Sequence, residues 1–192
     1  MIFKNISLFY NSNYKNQIFY FALEEVMKME IKIAEEPDVP VVYRLMLEAF
    51  EEYRSLDVPS SAINESLELL QIAIKSNSEK ALLCLINGDP LGSCRFTMKE
   101  DTLYFSRVSV TPSARGKGIA KAMLLWLEKY ASDNFKGKMA CRVRVSLPKN
   151  ISLYKSMGYF VTKEEVVTNP NGFLVKTVVM EKTLGAQNIS IS

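Results

Sequence analysis

Histidine is absent from the 192-residue chain. Its absence excludes histidine metal ligands, Ser-His-Asp and Cys-His catalysis, and a histidine general base. Any chemistry must therefore use tyrosine, carboxylate, lysine or cysteine side chains, or backbone groups. We expect no metal to take part.

Cysteine is scarce, with three residues in the chain, Cys84, Cys94 and Cys141. The number is odd, no C-x-x-C pair occurs, and each cysteine lies in an apolar, strand-like run. This pattern predicts buried free thiols, which suit a reducing, cytoplasmic location. It also disfavours Cys94 and Cys141 as nucleophiles that carry an acyl group.

Long apolar runs are missing from the N-terminal part of the chain. Sixteen of the first 21 residues are Ile, Phe, Lys, Asn or Tyr, and the longest apolar run there covers residues 18–23. A membrane-spanning helix needs roughly 20 apolar residues, and no signal-peptide pattern is present. We expect no membrane partner. We predict a domain over residues 30–184 and a frayed tail over 185–192. Residues 1–29 are predicted to be a poorly ordered extension, or to precede a native start at Met27 or Met29.

Acidic residues are rare in one segment and abundant in another, although the formal net charge is only +3. Residues 102–157 contain eleven Lys and Arg against two Asp and Glu. Residues 30–68 contain ten Asp and Glu against three Lys and Arg. The asymmetry suits an anionic ligand at the first segment and a cationic ligand at the second. Two solvated faces of differing composition are the alternative interpretation.

The periodicity of apolar residues predicts eleven elements in the order β-α-α-β-β-β-α-β-α-β-β. Asn87-Gly88 is a strong hairpin signal between two apolar strands. Asp38 is predicted to cap the first helix and Ser60 or Ser61 the second. Hairpins followed by a strand-helix-strand crossover indicate an α/β fold with a mixed sheet flanked by helices.

A glycine-rich turn joins the strand over residues 103–110 to the helix that begins near Ile119. Gly116 and Gly118 remove side chains that would block approach, and Arg115 and Lys117 add cationic donors. Free N–H groups and the positive end of the helix dipole meet at this point, which suits a pyrophosphate. A glycine-rich turn without a ligand is the alternative.

Three phosphate-binding patterns compete at this turn. The Walker A string does not occur, and the dinucleotide fingerprint would put the bulky Lys121 at its third small position. The pattern [QR]-x-x-G-x-[GA] is satisfied by Arg115, Gly118 and Ala120. With the preceding residues 108–112, it resembles motif A of the GNAT superfamily of N-acetyltransferases.

A second match, one strand later, resembles motif B of the same superfamily. Asn150, Tyr154, Gly158 and Tyr159 stand at the spacing N-x-x-x-Y-x-x-x-G-[FY]. The resemblance covers residues 30–184 and implies a central, mixed, mostly antiparallel twisted sheet. It also implies direct acetyl transfer from acetyl-CoA, as co-substrate, to an amine. The residues that it assigns to acetyl-CoA are Val108, Ser109, Val110, Arg115, Gly116, Lys117, Gly118, Ile119, Ala120 and Asn150.

The resemblance places Tyr154 where it would protonate the departing sulfur, and the alternative is a packing role in the helix. Asn150 either contacts the CoA arm or caps the short helix. Glu48, Glu51 and Glu52 lie on the first predicted helix, which lines the acceptor groove in this superfamily. They are candidates for the base or for attraction of the amine, against the alternative of solvated helix residues.

Two rival functions remain. A non-catalytic acyl-CoA-binding or sensor module would keep both motifs without turnover. Nucleic-acid binding is disfavoured because aromatic residues do not interleave with the basic ones. The acceptor is a small-molecule amine or a peptide or protein amine, and the acidic segment favours a cationic one. The oligomeric state stays open, with a homodimer as one option because many relatives dimerise.

Overall fold

The computed structural model describes residues 28–185 of the chain. In this part, four helices and seven strands follow the predicted order. The helices are α1 (Val39–Phe50), α2 (Leu67–Lys75), α3 (Ile119–Asp133) and α4 (Pro148–Lys155). The strands are β1 (Met29–Ile33), β2 (Lys80–Ile86), β3 (Asp89–Lys99), β4 (Thr102–Val110), β5 (Lys138–Arg144), β6 (Phe160–Thr168) and β7 (Leu174–Thr183). The predicted N-terminal extension, except residues 28 and 29, and nearly all of the predicted tail lie outside the described residues.

The strands form one sheet in the spatial order β1-β2-β3-β4-β5-β7-β6. Neighbouring strands pair antiparallel except for β4 and β5, which are parallel. The Asn87-Gly88 hairpin joins β2 to β3, and α3 provides the crossover between the two parallel strands. The prediction of a mixed, mostly antiparallel sheet flanked by helices is therefore confirmed.

Helices cover both faces of the sheet, and successive residues of β2 show how the two cores are divided. Leu82 packs in the core beneath α3 and α4, whereas Leu83 packs in the core beneath α1 and α2. Both leucines are fully buried, as are Leu127 of α3 and Leu45 of α1. Burial of each such side chain contributes roughly 1.5–3 kcal/mol. These cores fix α1, α3 and α4 around the middle of the sheet.

Two predicted helix caps differ from the structure. Asp38 precedes α1, but its carboxylate accepts a hydrogen bond from the Glu35 N–H at 3.0 Å. It therefore caps the start of the 3-10 turn Glu36–Asp38 instead of the start of α1. Ser60 caps the 3-10 turn Ser61–Asn64, and α2 begins later with Ser66 as its cap. Hydrophobic periodicity alone does not distinguish a short 3-10 turn from the start of an α-helix. Among the described helices, none combines the length and apolar character that a membrane span requires.

Candidate active site

The turn ahead of α3 leaves open space in front of the helix. A 3-10 turn, Pro112–Ala114, follows β4 and leads into Gly116 and Gly118. These two glycines have φ angles of +76° and +82°, which other residues rarely adopt. A Cβ atom added at either position would meet no atom within 4 Å. The backbone is therefore reachable by a ligand at these two glycines.

Backbone donors of α3 face that space. The Ala122 N–H is bonded to the Gly118 carbonyl at 2.9 Å. The N–H groups before it, including those of Ile119 and Ala120, have no acceptor within the helix because of helix geometry. Lys117 beside them is exposed. The donors, the helix dipole and the lysine charge fit a diphosphate.

Arg115 bridges this turn to the end of α1. Its Nη1 donates to Glu52 Oε2 at 2.8 Å and its Nη2 donates to the Ala49 carbonyl at 3.0 Å. The hydrogen bond from Arg115 lowers the pKa of Glu52 against the opposing effect of burial. Glu52 therefore stays ionised at neutral pH and balances part of the charge beside the turn.

Strands β4 and β5 separate after a short parallel contact. They pair from Thr102–Lys138 to Tyr104–Ala140, with no further pairing between them toward Val110. A bulge in β4 accompanies the separation, with Arg107 at a φ of +51° and a register shift against β3. The gap exposes backbone of β4 and β5 between two cavities.

Two cavities, of about 330 Å³ and about 550 Å³, lie at this gap. The first, the acceptor-side cavity, lies between the loops after α1, the split strands and the β6–β7 turn. The second, the turn-side cavity, lies between the end of α1, Arg115 and Ala120 of the glycine-rich turn, and the β5–α4 loop. Their shared lining residues are Phe50, Tyr53, Val108, Leu147, Asn150 and Tyr154.

Half of the ten predicted cofactor residues line the turn-side cavity. Val108 and Val110 line it, together with Arg115, Ala120 and Asn150. Ser109 does not line either cavity: it is fully buried, and its hydroxyl donates to the Arg107 carbonyl at 2.9 Å. The predicted set thus reaches this cavity only in part, since Gly116, Lys117, Gly118 and the buried Ile119 line neither cavity.

Tyr154 of α4 stands in the wall between the cavities. Its side chain is 7% exposed, and its ring packs edge-on against Phe105 at a centroid distance of 5.6 Å. Burial raises the pKa of Tyr154 well above its usual range. The phenol therefore keeps its proton at any ordinary pH and is suited to donating a hydrogen bond.

Tyr53 is a site residue that the sequence analysis did not identify. It lies on the 3-10 turn Glu51–Tyr53 after α1, lines both cavities, and interacts with Glu52 and Asn150. Burial, followed by the hydrogen bond to Glu52, raises the pKa of Tyr53. The sequence feature that could have indicated Tyr53 is its position as the last aromatic residue before the loop at residues 57–59.

The other two candidate carboxylates lie away from the cavities. Glu48 pairs with Arg44 at 2.7 Å, and Glu51 pairs with Arg54 at 2.7 Å. Both pairs are exposed, and neither glutamate lines a cavity. The hydrogen bond from Arg54 lowers the pKa of Glu51. Of the three glutamates, Glu52 is the one placed at the site.

The three cysteines are free and buried, as predicted. Cys141 of β5 lines the acceptor-side cavity, and burial raises its pKa to about 12. Burial also raises the pKa of Cys94 far above its usual range. Neither thiol forms a thiolate readily, so neither is suited to nucleophilic catalysis. No cluster of metal-ligating side chains occurs among residues 28–185.

Arginines form part of the acceptor-side cavity that the sequence analysis did not identify. Arg107, Arg142 and Arg144 line it, and no Asp or Glu does. Alternation along β5 places Arg142 and Arg144 on one face of the sheet. This alternation is the sequence feature that could have indicated the arginine pair. The cavity is therefore cationic, although the neighbouring segment, residues 30–68, is acidic.

A family model described as the acetyltransferase (GNAT) family matches residues 40–159. The match begins in α1 and ends just after α4, so it includes the glycine-rich turn, the split strands and Tyr154. It covers more than half of the chain. No curated protein sequence matches this chain with significance.

Solved structures share the fold at low sequence identity. The ribosomal-protein-S18-alanine N-acetyltransferase from Escherichia coli is 17% identical with a TM-score of 0.65, over 86% of this chain and 99% of that chain. A Salmonella typhimurium protein solved with its cofactor acetyl-CoA is 22% identical with a TM-score of 0.63, over 82% and 95%. Mutant forms of a spermidine/spermine N-acetyltransferase from Vibrio cholerae are 17% identical with a TM-score of 0.63, over 81% and 94%.

Proposed function

Since the chain belongs to the GNAT acetyltransferase family, we propose that it transfers an acetyl group from acetyl-CoA directly to a primary amine while both substrates are bound. The amine belongs to a small molecule, a peptide or a protein. In the transfer the amine nitrogen bonds to the acyl carbon and loses a proton, the C–S bond breaks, and the sulfur gains a proton.

Acetyl-CoA would supply an activated thioester, and the turn-side cavity has the groups to hold it. The free N–H groups from Gly116 to Ala120 and the charge of Lys117 suit its diphosphate. The separated strand at Val108 and Val110, with Asn150 opposite, offers backbone and amide groups to its extended arm. This assignment is supported by the open glycine positions and by the structural likeness to a protein solved with acetyl-CoA.

The observation that carries the proposal is the place of Tyr154 in the wall shared by both cavities. A thioester arm entering from one cavity and an amine entering from the other would meet beside its hydroxyl. Because burial keeps the phenol protonated, it is suited to give the departing thiolate a hydrogen bond or a proton.

For the amine, Glu52 is favoured over Glu51 because it lies next to Tyr53, which lines both cavities, although Glu52 itself lines only the turn-side cavity. Its lowered pKa makes it a weak base, so we propose that its charge attracts the ammonium form while water removes the proton. A direct role of either glutamate as base stays a prediction, as do a cytoplasmic location and a homodimer.

The test combines turnover with binding. Release of free CoA from acetyl-CoA is followed over a panel of amines, the product is identified by mass, and acetyl-CoA affinity is measured by calorimetry. An N-acetylated product supports the proposal. Tight binding without transfer to any amine would instead support a sensor module. Absence of acetyl-CoA binding at millimolar concentration would overturn the assigned site.

A further inference from the structure

Arg144 differs from the other arginines in having no carboxylate partner. The chain has seven arginines, all within residues 28–185, and six of them lie within 4 Å of a carboxylate of the described residues. Arg144 instead donates from Nη1 to the Val58 carbonyl at 2.6 Å and from Nη2 to the Pro59 carbonyl at 2.9 Å. Its positive charge is therefore not neutralised by any described residue.

The surroundings of Arg144 destabilise its positive charge unless an anion is bound nearby. The side chain is half-buried in the wall of the acceptor-side cavity. Burial, followed by repulsion from Arg107, lowers its pKa. A partly desolvated cation that lies beside a second cation is destabilised by burial and by repulsion. Binding of an anion next to the two cations offsets both effects.

The other two arginines of this cavity are already paired with carboxylates. Arg107 contacts Glu65 at 3.1 Å, and Arg142 contacts Glu165 at 2.7 Å. Neither glutamate lines the cavity. Arg144 is thus the arginine of this cavity that lacks a carboxylate partner among the described residues.

Asn169, in the β6–β7 turn, is another polar residue that lines the same cavity. Its Oδ1 accepts the backbone N–H groups of Asn171 at 3.0 Å and Phe173 at 2.9 Å, which fixes the orientation of the amide. Its Nδ2 is buried and has no acceptor among the described residues. An unsatisfied donor of this kind favours the binding of a ligand atom that can accept its hydrogen bond.

We propose that the acceptor is an amine that carries a carboxylate, as a free amino acid does, and that Arg144 and Asn169 bind the carboxylate in the acceptor-side cavity. This inference rests on the proposed acetyl transfer and adds the acceptor class. The apolar walls formed by Phe50, Tyr53 and Leu56 would hold the remainder of the molecule. A volume of about 330 Å³ suits a small acceptor.

The acidic segment does not oppose this inference. Within residues 30–68, Glu48, Glu51, Glu52 and Glu65 each pair with an arginine. A polyamine would place an additional ammonium group beside Arg107 and Arg144, with no carboxylate in the cavity lining to receive it. The local charge around the cavity therefore outweighs the composition of the segment.

The experiment measures binding and turnover separately. Free amino acids, the carboxamides of the same amino acids, diamines and short peptides are titrated into the CoA-loaded protein by calorimetry. The same amines are then assayed with acetyl-CoA at fixed concentrations of the unprotonated amine. Wild-type protein is compared with Arg144→Gln, Arg144→Lys and the exposed control Arg44→Gln.

We expect an amino acid to bind at least tenfold more tightly than its carboxamide. Arg144→Gln should remove this preference, while the affinity for the carboxamide changes less than about threefold. Arg144→Lys should retain part of the preference, and Arg44→Gln should retain all of it. Acetyl-CoA affinity should not change. Equal binding of acid and amide, preference for diamines, or an equal loss for both in Arg144→Gln would overturn the inference. The binding preference can be measured even if no acetyl group is transferred. Binding without transfer would count against the proposed function but not against the carboxylate site.

Discussion

Arg115 and Glu52 form an ion pair at 2.8 Å that joins the glycine-rich turn ahead of α3 to the 3-10 turn after α1. Sixty-three positions separate the two residues along the chain. The pair lies beside the turn-side cavity and fixes the charge state of the one candidate carboxylate placed there. It therefore bears directly on whether Glu52 acts as a base or through its charge.

The first prediction concerns Glu52→Gln. Because Arg115 lowers the pKa of Glu52, titration of this group falls below the pH range in which an amine is acetylated. We expect the pH profile of kcat/KM between pH 6 and pH 9 to keep its shape, with a loss in rate below about tenfold from the missing charge, about 1.4 kcal/mol. A loss above 100-fold at unchanged acetyl-CoA affinity would instead identify Glu52 as the base.

The second prediction concerns the phenol of Tyr154. Tyr154→Phe keeps the packing against Phe105 but removes the proton donor, so kcat should fall by about 100-fold while acetyl-CoA affinity stays within twofold. Tyr159→Phe is the matched control, because Tyr159 packs on the same Phe105 ring but lines neither cavity. Since the pKa of Tyr154 is raised, the wild-type profile should show no loss of kcat from this group below about pH 10. Full activity of Tyr154→Phe would refute its assigned role.

The third prediction concerns Lys117 at the glycine-rich turn. Lys117→Glu places a negative charge beside the N–H groups of α3, and the Kd for acetyl-CoA should rise about tenfold, or by about 1.4 kcal/mol. Lys129→Glu is the control on the same helix: Lys129 is exposed and lies roughly 15 Å further along the helix, beyond the screening length. Calorimetry at two salt concentrations checks both variants. Equal effects of the two changes would indicate general charge rather than a site.

The sequence predicted the order of elements and the glycine-rich turn because these depend on neighbouring residues. Asn87-Gly88 sets a hairpin, and Gly116 and Gly118 set the entry to α3, through backbone preferences that a short segment expresses by itself. The second helix was placed too early, since the 3-10 turn Ser61–Asn64 and α2 present one continuous apolar pattern. Local patterns do not separate these two conformations.

Features that depend on distant residues were not predictable from one sequence. The position of β7 between β5 and β6, and the separation of β4 from β5, arise from pairing of the whole sheet. The cationic lining of the acceptor-side cavity was hidden because the adjacent segment is acidic in composition. Two of its glutamates pair with arginines far away in the chain: Glu52 contacts Arg115, and Glu65 contacts Arg95 and Arg107. Charge counts along a segment do not report such pairing.

The last prediction concerns Arg95, a buried residue of β3 that connects the loops before and after α2 to the sheet. It is 9% exposed and pairs with Glu65 and Glu79, whose side chains are 18% and 15% exposed. Replacing it with methionine leaves the poorly solvated carboxylate of Glu79 without its arginine and leaves Glu65 with Arg107 alone. The free energy of unfolding should fall by about 3–5 kcal/mol. Arg44→Gln, which breaks an exposed pair, should cost less than about 0.5 kcal/mol.

The pH dependence of the same variant distinguishes this ion-pair effect from a loss of packing. Burial raises the pKa of Glu65, but the hydrogen bond and charges of Arg95 and Arg107 outweigh it, so the pKa in the folded protein is lower than in the unfolded chain. The stability from this pairing is therefore present above about pH 4.5 and is lost as the pH falls through the folded value. Denaturant titrations of Arg95→Met between pH 3 and pH 7 should show a shallower acid dependence than wild type. A parallel loss at every pH would show that the arginine stabilises the fold through packing, and not through charge.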